Sequence, residues 1–258
     1  MNIGVQLYSV RGEIEKYGLE PVLEAVKEVG FDCVECAGFY GLSPEEMKAT
    51  LDKFGLKAIS IHAHILRNNP YDFLTEEEFT AQTLPYIDAL GIEKVYIPWL
   101  TPTAFLEEHL DETLARVKRA YEILTSRKVT VGYHNHAHEY QNGNNHVKTL
   151  LDGVDGLTTQ IDIFWTAVAE QDTLALMDEF GDDVSSIHVK ELAREKGENG
   201  KLLHALVGEG VSNTEAVIQK ALKKGIDTFI LEVEGYPCEW KEYLKKSCDA
   251  IKAFAQKK

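Results

Sequence analysis

Residues 30–34 read Gly30-Phe31-Asp32-Cys33-Val34, a glycine that follows a helix-like segment and leads through a short link into an apolar run. The same pattern recurs at Gly55-Leu56-Lys57-Ala58-Ile59, Gly91-Ile92-Glu93-Lys94-Val95 and Gly225-Ile226-Asp227-Thr228-Phe229. Glycine is favoured where a helix ends in the left-handed conformation. Repeated helix–glycine–strand units are typical of parallel α/β proteins, in which helices alternate with buried strands.

Apolar runs of strand length continue this alternation along the whole chain. They predict strands at residues 2–8, 33–37, 57–62, 94–98, 129–134, 157–162, 185–190 and 227–233. A doubly wound open sheet is the alternative, but it usually has fewer strands, and no glycine-rich dinucleotide fingerprint follows the first strand. A barrel of eight strand–helix units needs ~250 residues. The sequence therefore predicts an α/β fold with a single (β/α)8 barrel domain spanning residues 1–258.

Three predicted helix starts carry a capping box, in which Ser or Thr and a Glu three residues later bond to each other's backbone. They are Ser43 with Glu46, Thr75 with Glu78, and Ser212 with Glu215. We expect a helix to begin directly after each Ser or Thr.

The composition narrows the function classes. Acidic residues number 42 against 27 Lys and Arg, which gives a net charge of −15 and disfavours binding to nucleic acid or to anionic membrane surfaces. No stretch approaches the ~20 apolar residues of a membrane span, and residues 2–7 read as a strand rather than a cleaved leader. We expect a cytoplasmic protein.

The pair Cys33 and Cys36 lies in an apolar run, so we expect core packing in a reducing compartment.

The predicted strands end in polar residues. In parallel barrels the active site lies at the carboxyl ends of the strands, where the side chains of neighbouring strands converge. A lone His or acid there is more often a hydrogen-bonded core residue or a helix cap, but several carboxylates in one bowl repel each other unless a cation compensates them. Carboxylate and imidazole ligands suit Mn²⁺, Zn²⁺, Co²⁺ or Mg²⁺. The polar residues are Gln6, Tyr8, Glu35, His62, His64, His134, Asn135, His136, His138, Glu139, Asp162, His188, Lys190, Glu232 and Glu234.

Five motifs in chain order resemble the xylose isomerase-like barrel superfamily, in particular its sugar phosphate isomerase/epimerase group, which includes inosose dehydratase relatives. The motifs are Gly4-Val5-Gln6-Leu7-Tyr8-Ser9-Val10-Arg11, Tyr133-His134-Asn135-His136, Ile161-Asp162-Ile163-Phe164-Trp165, Ile187-His188-Val189-Lys190 and Val207-Gly208-Glu209-Gly210. Each motif alone is weak, but the resemblance runs the length of the chain.

The resemblance implies a metal site and candidate site residues. Members of the superfamily hold a divalent metal with a Glu, an Asp, a His and a Glu from strands 5 to 8, which implies Asp162, His188 and Glu232 as three ligands. The strand 5 position holds His134, while Glu139 stands five residues later, so either residue is a candidate for the fourth ligand. Glu139, Glu232 and His134 are the candidate catalytic residues. Candidate substrate-binding residues are His62, Trp99, His136, Trp165, Lys190 and Glu234.

The implied chemistry is proton transfer on a small sugar, sugar phosphate or polyol. A metal that chelates a carbonyl and a neighbouring hydroxyl stabilises the enediolate that forms when the adjacent carbon loses a proton. Return of the proton gives isomerisation or epimerisation, whereas loss of a substituent gives dehydration or cleavage of a keto-sugar or keto-inositol.

Two other functions compete with this one. An endonuclease IV-like phosphodiesterase resembles the same barrel, but it would need several metals and a basic groove. A sugar-binding barrel without activity would keep Trp99 and Trp165 and lose the metal ligands. The pattern leaves the oligomeric state open, including a homo-oligomer.

Overall fold

Eight parallel strands close into one barrel in the computed structural model, which describes residues 1–67 and 71–257. Each strand pairs with the next, and the last pairs with the first. The predicted (β/α)8 barrel is confirmed, and the strand ends lie within two residues of the predicted ones. The strands are β1 (Asn2–Gln6), β2 (Cys33–Cys36), β3 (Lys57–His62), β4 (Lys94–Ile97), β5 (Thr130–His134), β6 (Thr158–Asp162), β7 (Val184–Val189) and β8 (Thr228–Leu231).

Helices cover the outside of the barrel. None of those in residues 1–67 and 71–257 is long and apolar enough to cross a bilayer. They are α1 (Arg11–Tyr17), α2 (Leu19–Glu28), α3 (Pro44–Lys53), α4 (Glu76–Leu90), α5 (Glu107–Thr125), α6 (His146–Gly153), α7 (Ile163–Val168), α8 (Thr173–Phe180), α9 (Thr214–Lys223) and α10 (Trp240–Gln256).

Two of the three predicted capping boxes are confirmed, at the starts of α3 and α4. The third prediction is wrong, because α9 begins after Asn213, and no side chain caps it. The Ser212 hydroxyl instead donates to the carbonyl of Lys190 at 3.1 Å and accepts from the Leu192 amide at 3.0 Å. This serine therefore fastens the β7 end to the following loop and is not available to the helix.

The two faces of the strands differ in polarity. Outward side chains such as Val34, Val95 and Ile161 are apolar and fully buried. Inside the barrel, Cys33, Ile59 and Ile230 form a small apolar cluster. Polar side chains fill the remainder of the barrel interior toward the carboxyl ends of the strands. The fully buried ones include Gln6, Glu35, Ser60, Gln160, Asp162 and His188. Since a buried polar group is costly unless it is hydrogen-bonded, this half of the interior has to be a bonded network.

The cysteines are free thiols. Cys33 and Cys36 are buried, so the predicted core packing is confirmed. Burial raises the pKa of each of these two thiols to about 12, which keeps both protonated at neutral pH.

The connection from β7 to α9 carries a hairpin, residues 191–205. The Ala193 amide donates to the carbonyl of Leu203 at 3.0 Å, and the Ala205 amide donates to that of Glu191 at 3.1 Å. The buried Glu191 carboxylate accepts from the Gly208 amide at 2.8 Å and the Ser212 amide at 2.9 Å. A buried carboxylate therefore anchors the 191–205 hairpin beside the mouth of the barrel.

The interior packing predicts a cost for enlarging Gly132 on β5. A Cβ there would lie 2.8 Å from Tyr96 ring carbons and 2.7 Å from the Thr158 hydroxyl oxygen. We expect Gly132→Ala to lower the free energy of unfolding by about 1–3 kcal/mol, because overpacking forces neighbours to shift. The control is Gly12→Ala on exposed α1, where no atom lies within 4 Å of the added Cβ. Urea unfolding curves in which both variants match the wild type would contradict the prediction.

Candidate metal centre

Two imidazoles and two carboxylates converge at the carboxyl ends of β5 to β8. We call His134, Asp162, His188 and Glu232 the four-residue group; each offers one ligand atom, and these atoms lie within 4.8 Å of one another. Asp162 Oδ2 is 4.0 Å from His134 Nε2 and 3.9 Å from His188 Nδ1. His188 Nδ1 is 3.1 Å from Glu232 Oε2. All four side chains are buried.

The unused atoms of this group fit a metal ion. Asp162 Oδ2 and His188 Nδ1 are buried and have no hydrogen-bond partner. The other oxygen, Asp162 Oδ1, is already used, since it accepts from the amides of Phe164 and Trp165 and so caps α7. A divalent cation would satisfy the unpartnered atoms and offset the two carboxylate charges. The nitrogen and oxygen donors suit Mn²⁺, Zn²⁺, Co²⁺ or Mg²⁺.

Glu35 on β2 supports the group from the barrel interior. Its carboxylate accepts from Gln6 Nε2 at 2.7 Å and from the Ser60 hydroxyl at 2.6 Å, and its Oε1 lies 2.5 Å from His188 Nε2. Burial alone would raise the pKa of Glu35, but His62 and His188 hold it well below its usual value. A carboxylate bonded to Nε2 keeps a proton on that nitrogen. Nδ1 of His188 then faces the four-residue group.

Gln160 on β6 performs the same task for His134. Its Nε2 donates to Glu35 at 2.9 Å, so its oxygen faces the imidazoles. This oxygen lies 3.1 Å from His134 Nδ1 and 3.0 Å from His62 Nε2, and it accepts a hydrogen bond from each. The proton of His134 therefore sits on Nδ1, and Nε2 offers its lone pair toward Asp162.

The group holds protons when no cation is bound. Burial raises the pKa of Asp162. Burial alone would lower the pKa of His188, but Glu35 and Glu232 raise it to about 10. A metal has to displace these protons, because it binds deprotonated ligands.

Lys190 connects the four-residue group to Glu234 at the mouth of the barrel. Its Nζ donates to Glu232 Oε1 at 2.8 Å and to Glu234 Oε1 at 2.5 Å. Lys190 is fully buried, whereas the side chain of Glu234 is 39% exposed. One oxygen of Glu232 is thereby fixed, and the other is directed toward His188.

His62 lies next to the group. Its ring centroid is 4.9 Å from that of His134 and 5.3 Å from that of His188, and the three imidazoles form a second cluster with metal-ligand spacing. The Nε2 of His62 is used by Gln160, however. The cluster with unpartnered atoms and carboxylates is therefore the better candidate for a metal site.

Glu139 lies apart from both clusters. It sits in a short 3₁₀ turn after β5, where its buried carboxylate accepts from the Tyr133 hydroxyl at 2.6 Å and from the His136 amide at 2.9 Å. Burial raises its pKa to about 7. The sequence left His134 and Glu139 open as the fourth ligand. The structure brings His134 together with the other three residues and gives Glu139 a position that holds the loop; ligation itself stays a prediction.

Aromatic side chains border the mouth. The His136 ring lies between Trp99 and Trp165, with ring centroids 4.6 Å and 5.2 Å away. The ammonium of Lys190 lies 4.7 Å from the Trp165 ring centroid. His136 Nδ1 and Trp165 Nε1 are buried without partners, and burial lowers the pKa of His136 to about 3, which leaves it neutral. These predicted substrate-binding residues therefore share one wall beside the four-residue group.

Neither Glu35 nor Gln160 was predicted to have a role in the site. Glu35 stood among the polar strand ends, but its partner His188 is 153 positions away. Gln160 had a local signal, because it precedes Asp162 by two residues and alternate strand residues face the same side.

The family model described as xylose isomerase-like TIM barrel matches residues 23–254. The chain belongs to this family. Searching curated protein sequences gives no match.

Solved structures of similar fold include three that cover nearly the whole chain. A sugar phosphate isomerase/epimerase from Parabacteroides distasonis has 20% identity and a TM-score of 0.79, with 99% of this chain and 94% of that chain covered. A probable 3-DHS dehydratase from Bacillus anthracis has 16% identity and a TM-score of 0.75, with 98% and 99% covered. A xylose isomerase-like TIM barrel protein from Mycobacterium smegmatis in complex with magnesium has 16% identity and a TM-score of 0.70, with 92% and 87% covered. At these identities the likeness concerns the fold.

The two candidates for the strand 5 ligand can be separated by metal content. We expect His134→Ala to weaken Mn²⁺ binding at least ~10-fold, because even the loss of residues that support a ligand has effects of that size. Glu139→Gln should keep the metal, since its carboxylate is engaged by Tyr133 and His136. Mn²⁺ titration and elemental analysis measure both, with thermal melting as the control for folding. Loss of metal in Glu139→Gln with retention in His134→Ala would reverse the assignment.

Metal affinity should depend on pH. Protons on His188 and Asp162 compete with the cation, so affinity is lower at low pH and rises as these protons are lost. Between neutral pH and the His188 pKa of about 10, we expect ~10-fold higher affinity per pH unit for each proton displaced. Calorimetry in buffers of different ionisation enthalpy should show proton release on binding. An affinity independent of pH would contradict the assignment of these ligands.

Proposed function

We propose that the protein is a metal-dependent isomerase or epimerase of a sugar, sugar phosphate or polyol, which moves a proton at a carbon next to a carbonyl through an enediolate. The proposal rests on the four-residue group with its unpartnered Asp162 Oδ2 and His188 Nδ1, in a chain of the xylose isomerase-like family. His134, Asp162, His188 and Glu232 would hold one Mn²⁺, Co²⁺, Zn²⁺ or Mg²⁺ ion. When bound, the ion supplies Lewis-acid polarisation of a carbonyl.

Glu232 acts as a ligand whose orientation depends on Lys190. The ammonium binds one oxygen of this carboxylate, and the other oxygen faces His188 Nδ1. With one oxygen bonded to Lys190 and the other needed for the ion, Glu232 has little capacity as a free base. The same reasoning assigns His134 to ligation, since Gln160 holds its other nitrogen.

Glu234 is the carboxylate best placed to move the proton. It lies outside the four-residue group, it is partly exposed at the mouth, and Lys190 fixes its position. Glu139, in contrast, has its oxygens occupied by Tyr133 and His136. We therefore assign proton transfer to Glu234 and loop positioning to Glu139.

The aromatic wall would bind the sugar. Trp99 and Trp165 offer apolar faces of the kind that pack against sugar rings. The neutral His136 and the Trp165 indole each offer a buried polar atom that a hydroxyl can satisfy. Substrate hydroxyls would thus complete hydrogen bonds that the protein leaves open.

Dehydration of a keto-sugar or keto-inositol is the second candidate, because it begins with the same proton removal. One observation favours it. Lys190 is a buried ammonium that donates to two carboxylates, and these carboxylates raise its pKa. It would therefore stabilise the charge of a departing hydroxyl through a hydrogen bond rather than give it a proton. The products distinguish the two reactions.

The test is hydrogen exchange with solvent. Protein loaded with Mn²⁺ is incubated with keto- and aldo-sugars in D2O, and products are analysed by NMR and mass spectrometry. We expect deuterium at a carbon next to the carbonyl, activity that is lost on chelation and restored by Mn²⁺ or Co²⁺, and an isomer rather than a dehydrated product.

Variants locate the activity in the site. Asp162→Asn should reduce exchange ~100-fold or more, whereas Glu215→Gln, a surface carboxylate paired with Lys257, serves as the unaffected control. Trp165→Ala should mainly raise KM. Full turnover by chelated protein would contradict the proposal. If isomerisation occurs without exchange, the experiment is repeated with a substrate that carries deuterium at one carbon. Movement of this deuterium to the neighbouring carbon would identify hydride transfer.

A further inference from the structure

His204 lies at the mouth of the barrel although no motif singled it out. Its ring stacks on Phe164 with centroids 4.7 Å apart and planes 15° apart. Lys190 Nζ is 5.1 Å from the centroid of the same Phe164 ring. A Cβ on Gly235, the residue after Glu234, would lie 3.9 Å from His204 Cδ2. His204 is therefore a neighbour of the residues that connect the four-residue group to solvent.

The 191–205 hairpin fixes this position. His204 pairs with Leu192 in an antiparallel bridge, and the Ala205 amide bonds to the carbonyl of Glu191. The carboxylate of Glu191 is anchored in turn by the Gly208 and Ser212 amides. Backbone pairing thus places the imidazole, and the stack on Phe164 is a consequence of that placement.

His204 belongs to a row of rings with unsatisfied polar atoms. The Phe164 ring contacts Trp165 at 5.0 Å between centroids, and Trp165 contacts His136 at 5.2 Å. His204 Nδ1, Trp165 Nε1 and His136 Nδ1 are all buried without a hydrogen-bond partner. Such atoms are rare in folded proteins because each one costs free energy. Three along one row at the mouth are available to a ligand with several hydroxyl groups.

The protonation state of the His204 imidazole allows it to form a hydrogen bond with a ligand hydroxyl. The pKa of His204 is lowered to about 4, mainly by burial and in smaller part by the positive charge of Lys190. A neutral imidazole has one donor and one acceptor nitrogen, as a hydroxyl needs.

We propose that His204 is a specificity-determining residue whose imidazole hydrogen-bonds a hydroxyl of the sugar at its end away from the metal ligands. The proposal rests on the function proposed above and narrows it, since the part of the substrate at this position is uncharged and hydroxylated.

Two variants separate hydrogen bonding from packing. His204→Phe keeps a ring on Phe164 and removes both nitrogens, whereas His204→Asn keeps a polar group near the Nδ1 position and removes the ring. Binding of the panel sugars to Mn²⁺-loaded protein is measured by calorimetry and by the relaxation of water protons at Mn²⁺, so turnover is not needed. We expect His204→Phe to weaken binding ~3–10-fold, the worth of one hydrogen bond, and His204→Asn to recover most of it. Metal content should stay unchanged in both.

Deoxy sugars provide the second arm. The analogue that lacks the contacted hydroxyl should bind the wild type and His204→Phe equally well. Normal binding by His204→Phe with weak binding by His204→Asn would assign His204 to packing and overturn the inference. Sugar binding without exchange would contradict only the proposed reaction, and no binding of any sugar would overturn both.

Discussion

A buried carboxylate in the barrel interior, Glu35, is the constraint on which the rest of the site depends. It has no contact with solvent, and side chains from β1, β3, β6 and β7 bond to it. Breaking a buried ionic network by removing one partner costs about 3–5 kcal/mol. Glu35 on β2 therefore ties four other strands together, and through His188 and Gln160 it contacts the four-residue group that β5 to β8 bring together.

The hydrogen bonds of Glu35 also determine how the imidazoles of His188 and His134 are oriented. Glu35 fixes His188 directly and His134 through Gln160, so that His134 turns its unprotonated Nε2, and His188 its Nδ1, toward Asp162. Two further buried carboxylates act on loops, Glu139 after β5 and Glu191 after β7. The barrel thus uses buried acids for positioning and leaves Asp162 Oδ2 and His188 Nδ1 unsatisfied at the place where a cation would fit.

The barrel was predictable because its signals are local and repeated. A glycine that ends a helix and an apolar strand that follows it depend on neighbours in sequence. This pattern located four strands, and apolar runs of strand length located the other four. The residues past the strand ends were harder to place. Glu139 and His134 could not be ranked from spacing, because the chain turns into a 3₁₀ segment in which a hydroxyl and an amide capture the carboxylate. The capping box predicted at Ser212 was wrong for a similar reason, since the carbonyl of Lys190 at the end of β7 accepts the hydrogen bond of the Ser212 hydroxyl.

The most direct test of the account is the position of the metal. Anomalous diffraction from crystals soaked in Mn²⁺ should show one peak within ~2.0–2.3 Å of His134 Nε2, Asp162 Oδ2, His188 Nδ1 and Glu232 Oε2, the range of metal–nitrogen and metal–oxygen bonds. Glu35 should remain bonded to His188 Nε2 in the same crystals. A peak beside Glu139, or the absence of a peak at the four-residue group under saturating Mn²⁺, would contradict the account.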